Sequence, residues 1–427
     1  MDLLVHESFF SPTIALNQQY GDLIQIPTVE RKTPCFLVTQ PDVLRHVLVS
    51  NHRAYHKGLG FERVKLLLGN GIIVSDGDFW RAQRRQVQPA FHRKVLAKLA
   101  TVMLQQNNKV LHAIATAQND SVNITQLTSH LSLNTMLMSL FSDDMQWFET
   151  DGENAFHVLA DDAVRDLQLA VRMRAVRKKI TALIEWRRAN KSLHRFDLVS
   201  LIMAAGPDMQ INHLVDEIMT LIIAGHETTA ATMNWLWFLL SSDEAESTEP
   251  ELQKVLTQFD QRTTLRETLQ TEAKAVTNFS FDTINQLPGL RAAIDETLRL
   301  FPPVWMFARK AIEDDTYHGL SIPAGSDVFI SPYLMHHHSH YWPNPYRFDQ
   351  HRFDNKPASP QSYLPFSAGP RRCIGDMFSI VELQLHFAVL LQRYTPRLDT
   401  VKTPNVTFDP NANLRARQDI YCFFKSH

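Results

Sequence analysis

The stretch FSAGPRRCIG, Phe366 to Gly375, contains one of only three cysteines in a chain of 427 residues. It limits the possible folds more than any other segment. Cys373 stands just ahead of an apolar run that predicts a long helix from about Ile374 to Tyr394. Gly369 and Gly375 flank it, and glycine allows close backbone approach and positive φ. Backbone N–H groups just after the cysteine, at the start of that helix, can point at its sulfur, and the helix dipole adds to this stabilisation. Arg371 and Arg372 bring two cations. A thiolate is a soft, charged metal ligand that needs such compensation.

Cys35 and Cys422 lie far away in sequence. Without a neighbouring CxxC partner Cys373 does not read as structural zinc. A nucleophile or a single axial thiolate on a metal remains, set against the plainer role of a small buried hydrophobe. Three cysteines cannot form a disulfide framework, and their odd count suits a reducing compartment. The net charge of −2 gives no reason to expect nucleic acid or an acidic membrane as partner. The N-terminal residues lack a basic region followed by an apolar run, so no signal peptide is expected. The longest apolar stretch, LIIAGHETTAATMNWLWFLL, is interrupted by His226 and Glu227, short of an integral membrane segment. These features read as a cytoplasmic protein.

Along the chain, DLIQIPTV and CFLVT between residues 20 and 50 read as short strands, and helical periodicity dominates from Trp80 to about 300. Strand patterns return over 305–335, and the tail from 400 to 427 reads as a hairpin. Nothing marks a domain boundary, so one mainly α unit with small β-sheets is expected.

Three further patterns carry polar groups where apolar ones would be easier. AGHETT places Gly225, Glu227 and Thr228 inside an apolar helix whose buried stripe is Leu214, Ile218, Leu221, Ile222 and Gly225. Buried polar groups there are unfavourable unless something polar meets them; a helix kink with a satisfied threonine is the plainer alternative. ETLR puts Glu296 and Arg299 on one helix face, which alone is only a surface ion pair. DFWRAQRR puts Trp80 and Arg84 at i, i+4, otherwise an amphipathic surface. MHHHSH, His336 to His340, looks like a metal cluster but reads better as a solvated loop.

Phe366, Gly369, Arg371, Cys373 and Gly375 together resemble the haem-binding loop of the cytochrome P450 family, Phe-x-x-Gly-x-Arg-x-Cys-x-Gly, at all five fixed positions. The resemblance runs from QYGDL to NLRAR and implies the P450 fold: a single helical domain, here residues 1–427, around a buried haem. It implies haem b, with Cys373 as the iron's thiolate ligand; the lack of CxxCH agrees with non-covalent binding. It implies that Gly225 makes room for dioxygen, that Thr228 hydrogen-bonds it and that Glu227 feeds protons. Trp80 and Arg84 are then expected at a haem propionate, with Arg309, Arg371 and His56 as further partners. Glu296 and Arg299 are expected to join an arginine downstream, Arg352 or else Arg347, in a buried network that holds the cysteine loop. Gln350–His351 stands where the family has Pro-Glu. Of the histidines, only His336 fits the family's pattern.

The implied reaction inserts one atom of O2 into an organic substrate. Electrons are expected from a separate ferredoxin or flavodoxin with its reductase, since the chain ends soon after the haem region. A basic dock at Arg372, Arg85 and Arg93 is expected on a monomer. The family's loop positions put Phe61, Leu66, Leu67, Ile72, Ile73, Ala224, Trp305, Met306, Phe307 and Leu414 on the pocket, which suits a lipophilic terpenoid, acyl chain, polyketide or phenolic. A non-oxygenating haem-thiolate protein, such as an isomerase, dehydratase, gas-binding sensor or phenol-coupling oxidase, is the alternative, and the coupling oxidase could keep every motif. A peroxygenase is disfavoured, because such relatives carry Arg-Pro in place of Glu227–Thr228. Residues 157–170 run shorter than in relatives and are expected to form the lid; either the lid is truly abbreviated, or residues are missing from the sequence near Asp166.

Overall fold

The computed structural model describes residues 9–26, 32–118, 120–150, 153–161, 167–190, 195–243, 245–354, 359–411 and 413–427. Asp166 and the middle of the expected lid lie outside them.

The longest helices follow the apolar periodicity. The first half of the chain carries α1 (Phe10–Tyr20), α2 (Pro41–Arg45), α3 (Phe61–Leu68), α4 (Gly77–Val87), α5 (Arg93–Ala117), α6 (Ile124–Phe141), α7 (Val158–Asp161), α8 (Leu167–Ala189) and α9 (Leu198–Ala205). The second half carries α10 (Ile211–Ser241), α11 (Pro250–Gln258), α12 (Arg262–Ala275), α13 (Pro288–Leu300), α14 (Pro332–His336) and α15 (Asp376–Leu391). The segment 41–50, expected to be β-rich, is instead α2 followed by a π-helical turn, His46–Ser50. Proline at the first helical position of α2 presets its φ.

The strand regions near the two ends of the sequence meet in one five-stranded sheet. Its order is Leu23–Ile26, Cys35–Val38, Asp327–Ile330, Phe307–Ala311, Tyr55–Lys57, with one parallel pair at its centre. The tail is less simple than a hairpin. Phe408–Asp409 pairs with Arg415–Ala416, but Tyr421–Ser426 pairs with Tyr394–Leu398.

The helix α10 threads the middle of the molecule. Residues Leu214–Ile222 and Thr229–Ser241 are buried, packed against α6 and α8 and against α13, α15 and the aromatic cluster of Phe10, Phe301 and Phe408. Between them Ile223, Ala224, Gly225, Glu227 and Thr228 keep accessible surface. A helix buried at both ends and open along one face in its middle lines an internal space. Among the described residues no helix is long and apolar enough to cross a membrane.

A buried ion network that the spacing gave no sign of fixes the distal end. Arg187 on α8 bonds Asp144 at 2.9 Å and Asp197 at 2.7 and 2.9 Å, while Asp197 also caps α9 through the Ser200 N–H at 2.8 Å. Both carboxylates are almost wholly buried. Such groups persist in an interior only when paired.

Candidate functional site

The cysteine loop is closed by its own backbone. The Cys373 N–H donates to the Phe366 carbonyl at 3.0 Å, and the Arg372 N–H to the Gly369 carbonyl at 3.0 Å. The turn needs positive φ at Ser367 (60°) and Gly369 (71°). At Gly369 there is a second constraint, since a Cβ there would lie 2.0 Å from the Leu48 carbonyl oxygen in the π-helical turn. That turn is held by Asp315, whose Oδ2 takes hydrogen bonds from Tyr55 at 2.6 Å, His46 at 2.7 Å and Asn51 at 3.1 Å. Gly375 departs from the sequence expectation. Its φ is −95°, and an added Cβ would meet Phe91 at an ordinary 3.9 Å. Neither strain nor protein crowding requires glycine there.

Cys373 presents its side chain to accessible space, yet so much protein surrounds it that burial pushes its thiol up to about 11. The Gly375 N–H, Arg84 and Arg372 pull the other way, and Asp376 adds to the rise. A nucleophilic cysteine needs a depressed pKa, so the nucleophile reading loses its support. A bound cation draws the proton from a coordinating thiol outright, and the donor set here is built for that.

Around Asp76, cations outnumber anions. Lys57 and Arg309 face each other across the antiparallel strands Tyr55–Lys57 and Phe307–Ala311. Like charges directly opposite are destabilising. Arg371 stacks over the Trp80 ring at 4.4 Å, donates to the Ser75 carbonyl at 3.0 Å and pairs with Asp76. Asp76 stands at the N-cap of α4 but caps nothing; it accepts from the Lys57 N–H and from Arg371. Burial, then repulsion from Arg371, lowers Arg309 to about 9 against the pull of Asp76. Lys57 is pushed well down by burial and by both arginines. Three cations around one carboxylate, Arg309 buried and Lys57 and Arg371 half-buried, call for further anions, and haem carries two carboxylates. The residues fit that group. Lys57 was not singled out from the sequence, which pointed to its neighbour His56; only the register with Arg309 reveals it. Arg84 is placed differently, donating at 2.8 Å to the Arg372 carbonyl and so bracing the cysteine loop.

On the distal side α10 shows no break. Thr228 Oγ1 donates to the Ala224 carbonyl at 3.0 Å, and Glu227 Oε2 accepts from Asn413 Nδ2 at 2.9 Å. His226 is buried, with Nδ1 at 3.1 Å from the Ile222 carbonyl. The Cβ that Gly225 lacks would come within 2.1 Å of the Met136 methyl of α6. Glycine there lets the Met136 side chain of α6 approach α10 closely.

Glu296 and Arg299 are fully buried and bidentate, at 2.6 and 2.8 Å, and Arg352 Nε reaches the same carboxylate at 3.1 Å. Arg299 also donates to the carbonyls of His336 (2.7 Å) and Pro345 (2.8 Å). Arg347 contributes only its carbonyl, while its guanidinium turns to Asp260 at 3.5 Å. The expected solvated histidine loop is not what forms. His336 is buried, its Nδ1 at 3.0 Å from the Arg299 carbonyl and its Nε2 accepting from the Leu364 N–H at 2.8 Å. Burial, then Arg299, lowers it to about 3, so it stays neutral. His337 bonds the Tyr333 carbonyl and His338 bonds Asp22.

Of the expected pocket residues, Phe61, Ile73, Ala224, Met306 and Phe307 keep accessible surface, and Ile72 is buried beside them. Trp305 and Leu414 do not belong. Trp305 packs on Phe10 and bonds the Pro410 carbonyl, and Leu414 is core, its carbonyl taken by Trp235. The side chains of Leu66 and Leu67 lie outside the described residues.

The family description Cytochrome P450 matches residues 2–423. Among curated proteins, the chain is 31% identical to cyclooctatin synthase of Streptomyces melanosporofaciens, covering 88% of this chain and 83% of that one. It is 27% identical to LUTEIN DEFICIENT 5, chloroplastic, of Arabidopsis thaliana, covering 91% and 69%. It is 26% identical to cyclooctat-9-en-7-ol 5-monooxygenase of S. melanosporofaciens, covering 88% and 83%.

Two substitutions test the loop geometry. Gly369→Ala should lower stability by at least about 2 kcal/mol in urea unfolding, from left-handed strain plus the carbonyl clash. Gly375→Ala should stay within about 1 kcal/mol; equal losses would contradict the contact at Leu48. Glu296→Ala strands two buried guanidinium groups and should lose about 3–5 kcal/mol, whereas a surface pair would lose less than about 1 kcal/mol.

Proposed function

The chain belongs to the cytochrome P450 family, and on that premise we propose that Cys373 is its iron ligand, with Lys57, Arg309 and Arg371 as the anchors of the haem carboxylates. The protein is an oxygen-inserting monooxygenase, and its family carries haem-thiolate iron. The observation that carries the site assignment is one thiol in a backbone-closed loop whose own Arg371 joins Asp76 and the facing Lys57 and Arg309 in a surplus of cations. The cofactor in this reading is non-covalent haem b. When bound, it supplies the activation of O2, which takes two electrons and two protons and sends one oxygen atom to the substrate and the other to water.

The protein's own residues hold and protonate. Cys373 is positioned by the Phe366 carbonyl and the Gly375 N–H, and Arg84 ties the loop to α4. Glu227 receives protons at the edge of the site, where Asn413 holds its Oε2, and passes them inward. Thr228 hands a proton on by releasing the Ala224 carbonyl and redirecting its hydroxyl. Apolar side chains at Ile72, Ile73, Ala224, Met306 and Phe307 suit a lipophilic substrate, and a cyclic alkenol is the class we favour, after the relative named for cyclooctat-9-en-7-ol. Electrons enter from a separate ferredoxin or flavodoxin, docked on the exposed Arg372 and Met377 with Arg85 and Arg93 nearby. Three cysteines, all free, suit the reducing cytoplasm.

The reduced, CO-bound protein should show the red-shifted Soret band of a thiolate-ligated haem, and Cys373→Ser should abolish it. An unchanged band would remove Cys373 from the iron. Thr228→Ala should keep haem and substrate binding but divert most reducing equivalents to peroxide. Unaltered coupling of electron use to ¹⁸O-labelled product would assign Thr228 a purely structural hydroxyl.

A further inference from the structure

The loop between α3 and α4 is pressed onto one turn of α10 by unusually close contacts. An added Cβ on Gly69, whose φ is 73°, would lie 2.1 Å from Asp216 Oδ1. A Cβ on Gly71 would lie 2.1 Å from Thr220 Oγ1 and 2.7 Å from the Asp216 carbonyl oxygen. Only glycine lets the backbone come so near, and what it approaches is a row of acceptors. The Asn70 N–H donates to Asp216 Oδ2 at 2.8 Å, and the Ile72 N–H to Glu217 Oε2 at 3.1 Å. Alternate amides of the loop thus go to consecutive carboxylates of the helix. Gln83 of α4 holds the same loop from the other side, donating to the Asn70 carbonyl at 3.0 Å. Arg177 of α8 pairs with Asp216 and reaches the Leu68 carbonyl at 3.5 Å.

These polar groups lie deep. Glu217 is fully buried and Thr220 nearly so, and Glu217 Oε1 and Thr220 Oγ1 have no hydrogen-bond partner among the described residues. Buried orphan atoms are unfavourable and persist where something else requires the arrangement. Thr220 stands one helical turn before Ala224 and two before Thr228 on the same face of α10. The loop it holds carries Ile72 and Ile73.

We propose that Asp216, Glu217 and Thr220 form a latch that seats Gly69–Ile73 on α10 and so sets the position of Ile72 and Ile73 against the substrate. They are positioning residues, which shape the pocket without touching the reacting atoms. The proposal rests on the P450 reading for its pocket, though not for the latch itself. Burial raises the Glu217 carboxyl to about 8, with the Ile72 N–H opposing and Asp216 reinforcing. At neutral pH it is therefore a neutral acceptor, which an amide can imitate.

The test uses the haem-loaded, full-length protein with two readouts: amide hydrogen exchange, and Soret titration with imidazole and with 4-phenylimidazole. Glu217→Gln should match the wild type in both. Glu217→Leu removes the acceptor and should speed exchange in residues 69–76 about tenfold, as loss of one buried hydrogen bond predicts. It should leave imidazole affinity unchanged and shift that of 4-phenylimidazole at least about threefold, because only the larger probe meets the loop. Should Glu217→Leu fail to fold, Gly71→Ala pushes the loop off from its own side and should give the same pattern. Unchanged exchange and unchanged probe selectivity in the folded variants overturn the latch, as does faster exchange spread evenly over the chain, or Glu217→Gln behaving like Glu217→Leu. A wild type that gives no Soret response to imidazole would instead overturn the haem reading, while the exchange measurements still decide the latch.

Discussion

The cysteine loop depends on a carboxylate that never touches it. Glu296 takes two bonds from Arg299, one from Arg352 and one from the Asp349 N–H. Arg299 in turn gathers the His336 and Pro345 carbonyls, which fixes α14 and the irregular segment after it. The His336 ring then links the Arg299 carbonyl to the Leu364 N–H, two residues before Phe366. The cysteine loop therefore starts from a point held by a fully satisfied polar network. A partly satisfied one would be worse than an apolar core, because each stranded group keeps its desolvation penalty. Its other end is set by contact, where Gly369 admits the Leu48 carbonyl.

Against that fixed sulfur the five-stranded sheet supplies charge. Lys57 and Arg309 are brought together by pairing between strands some 250 residues apart in sequence, and Arg371 arrives from the cysteine loop itself. Arg371 depresses both of the others and Arg309 depresses Lys57, while the single carboxylate of Asp76 opposes the fall in all three. On the proposed assignment the same segment presents a metal ligand and an anion anchor two residues apart, which couples the seating of the cofactor's carboxylates mechanically to the direction of the sulfur.

The sequence revealed most where function depends on short spacing. Cys373 with its glycines, Glu296 with Arg299, and the polar residues within α10 are all local patterns, and the structure joins Glu296, Arg299 and Arg352 in one buried network. It was silent where position depends on register or burial. Lys57 and His56 are neighbours in one strand, and only pairing to Arg309 and Lys310 tells them apart. His336 sits in a run of histidines that looks solvated until α14 folds it under Arg299. Trp305 and Leu414 lie next to pocket segments in sequence but turn into the aromatic core around Phe10 and Trp235. Gly225 has a vacancy that periodicity cannot assign, and Met136 takes it.

The helix α10 combines these demands in one element. Its ends must be apolar to be buried, yet it carries three acidic groups, Asp216, Glu217 and Glu227, which are tied to loops from two different parts of the chain. Glu217 holds the Ile72 amide from the segment before α4, and Glu227 holds the Asn413 side chain from the tail. Between them lie the apolar Leu221–Ile223 and the small Ala224 and Gly225. Both loops border the accessible middle of the helix, so the walls of the pocket are anchored to the same rod that carries Thr228. A substrate that displaces either loop strains a hydrogen bond to that rod within about three turns of the reacting centre. On the proposed assignment, pocket shape and proton delivery are thereby set by a single rigid body rather than by two parts that must find each other.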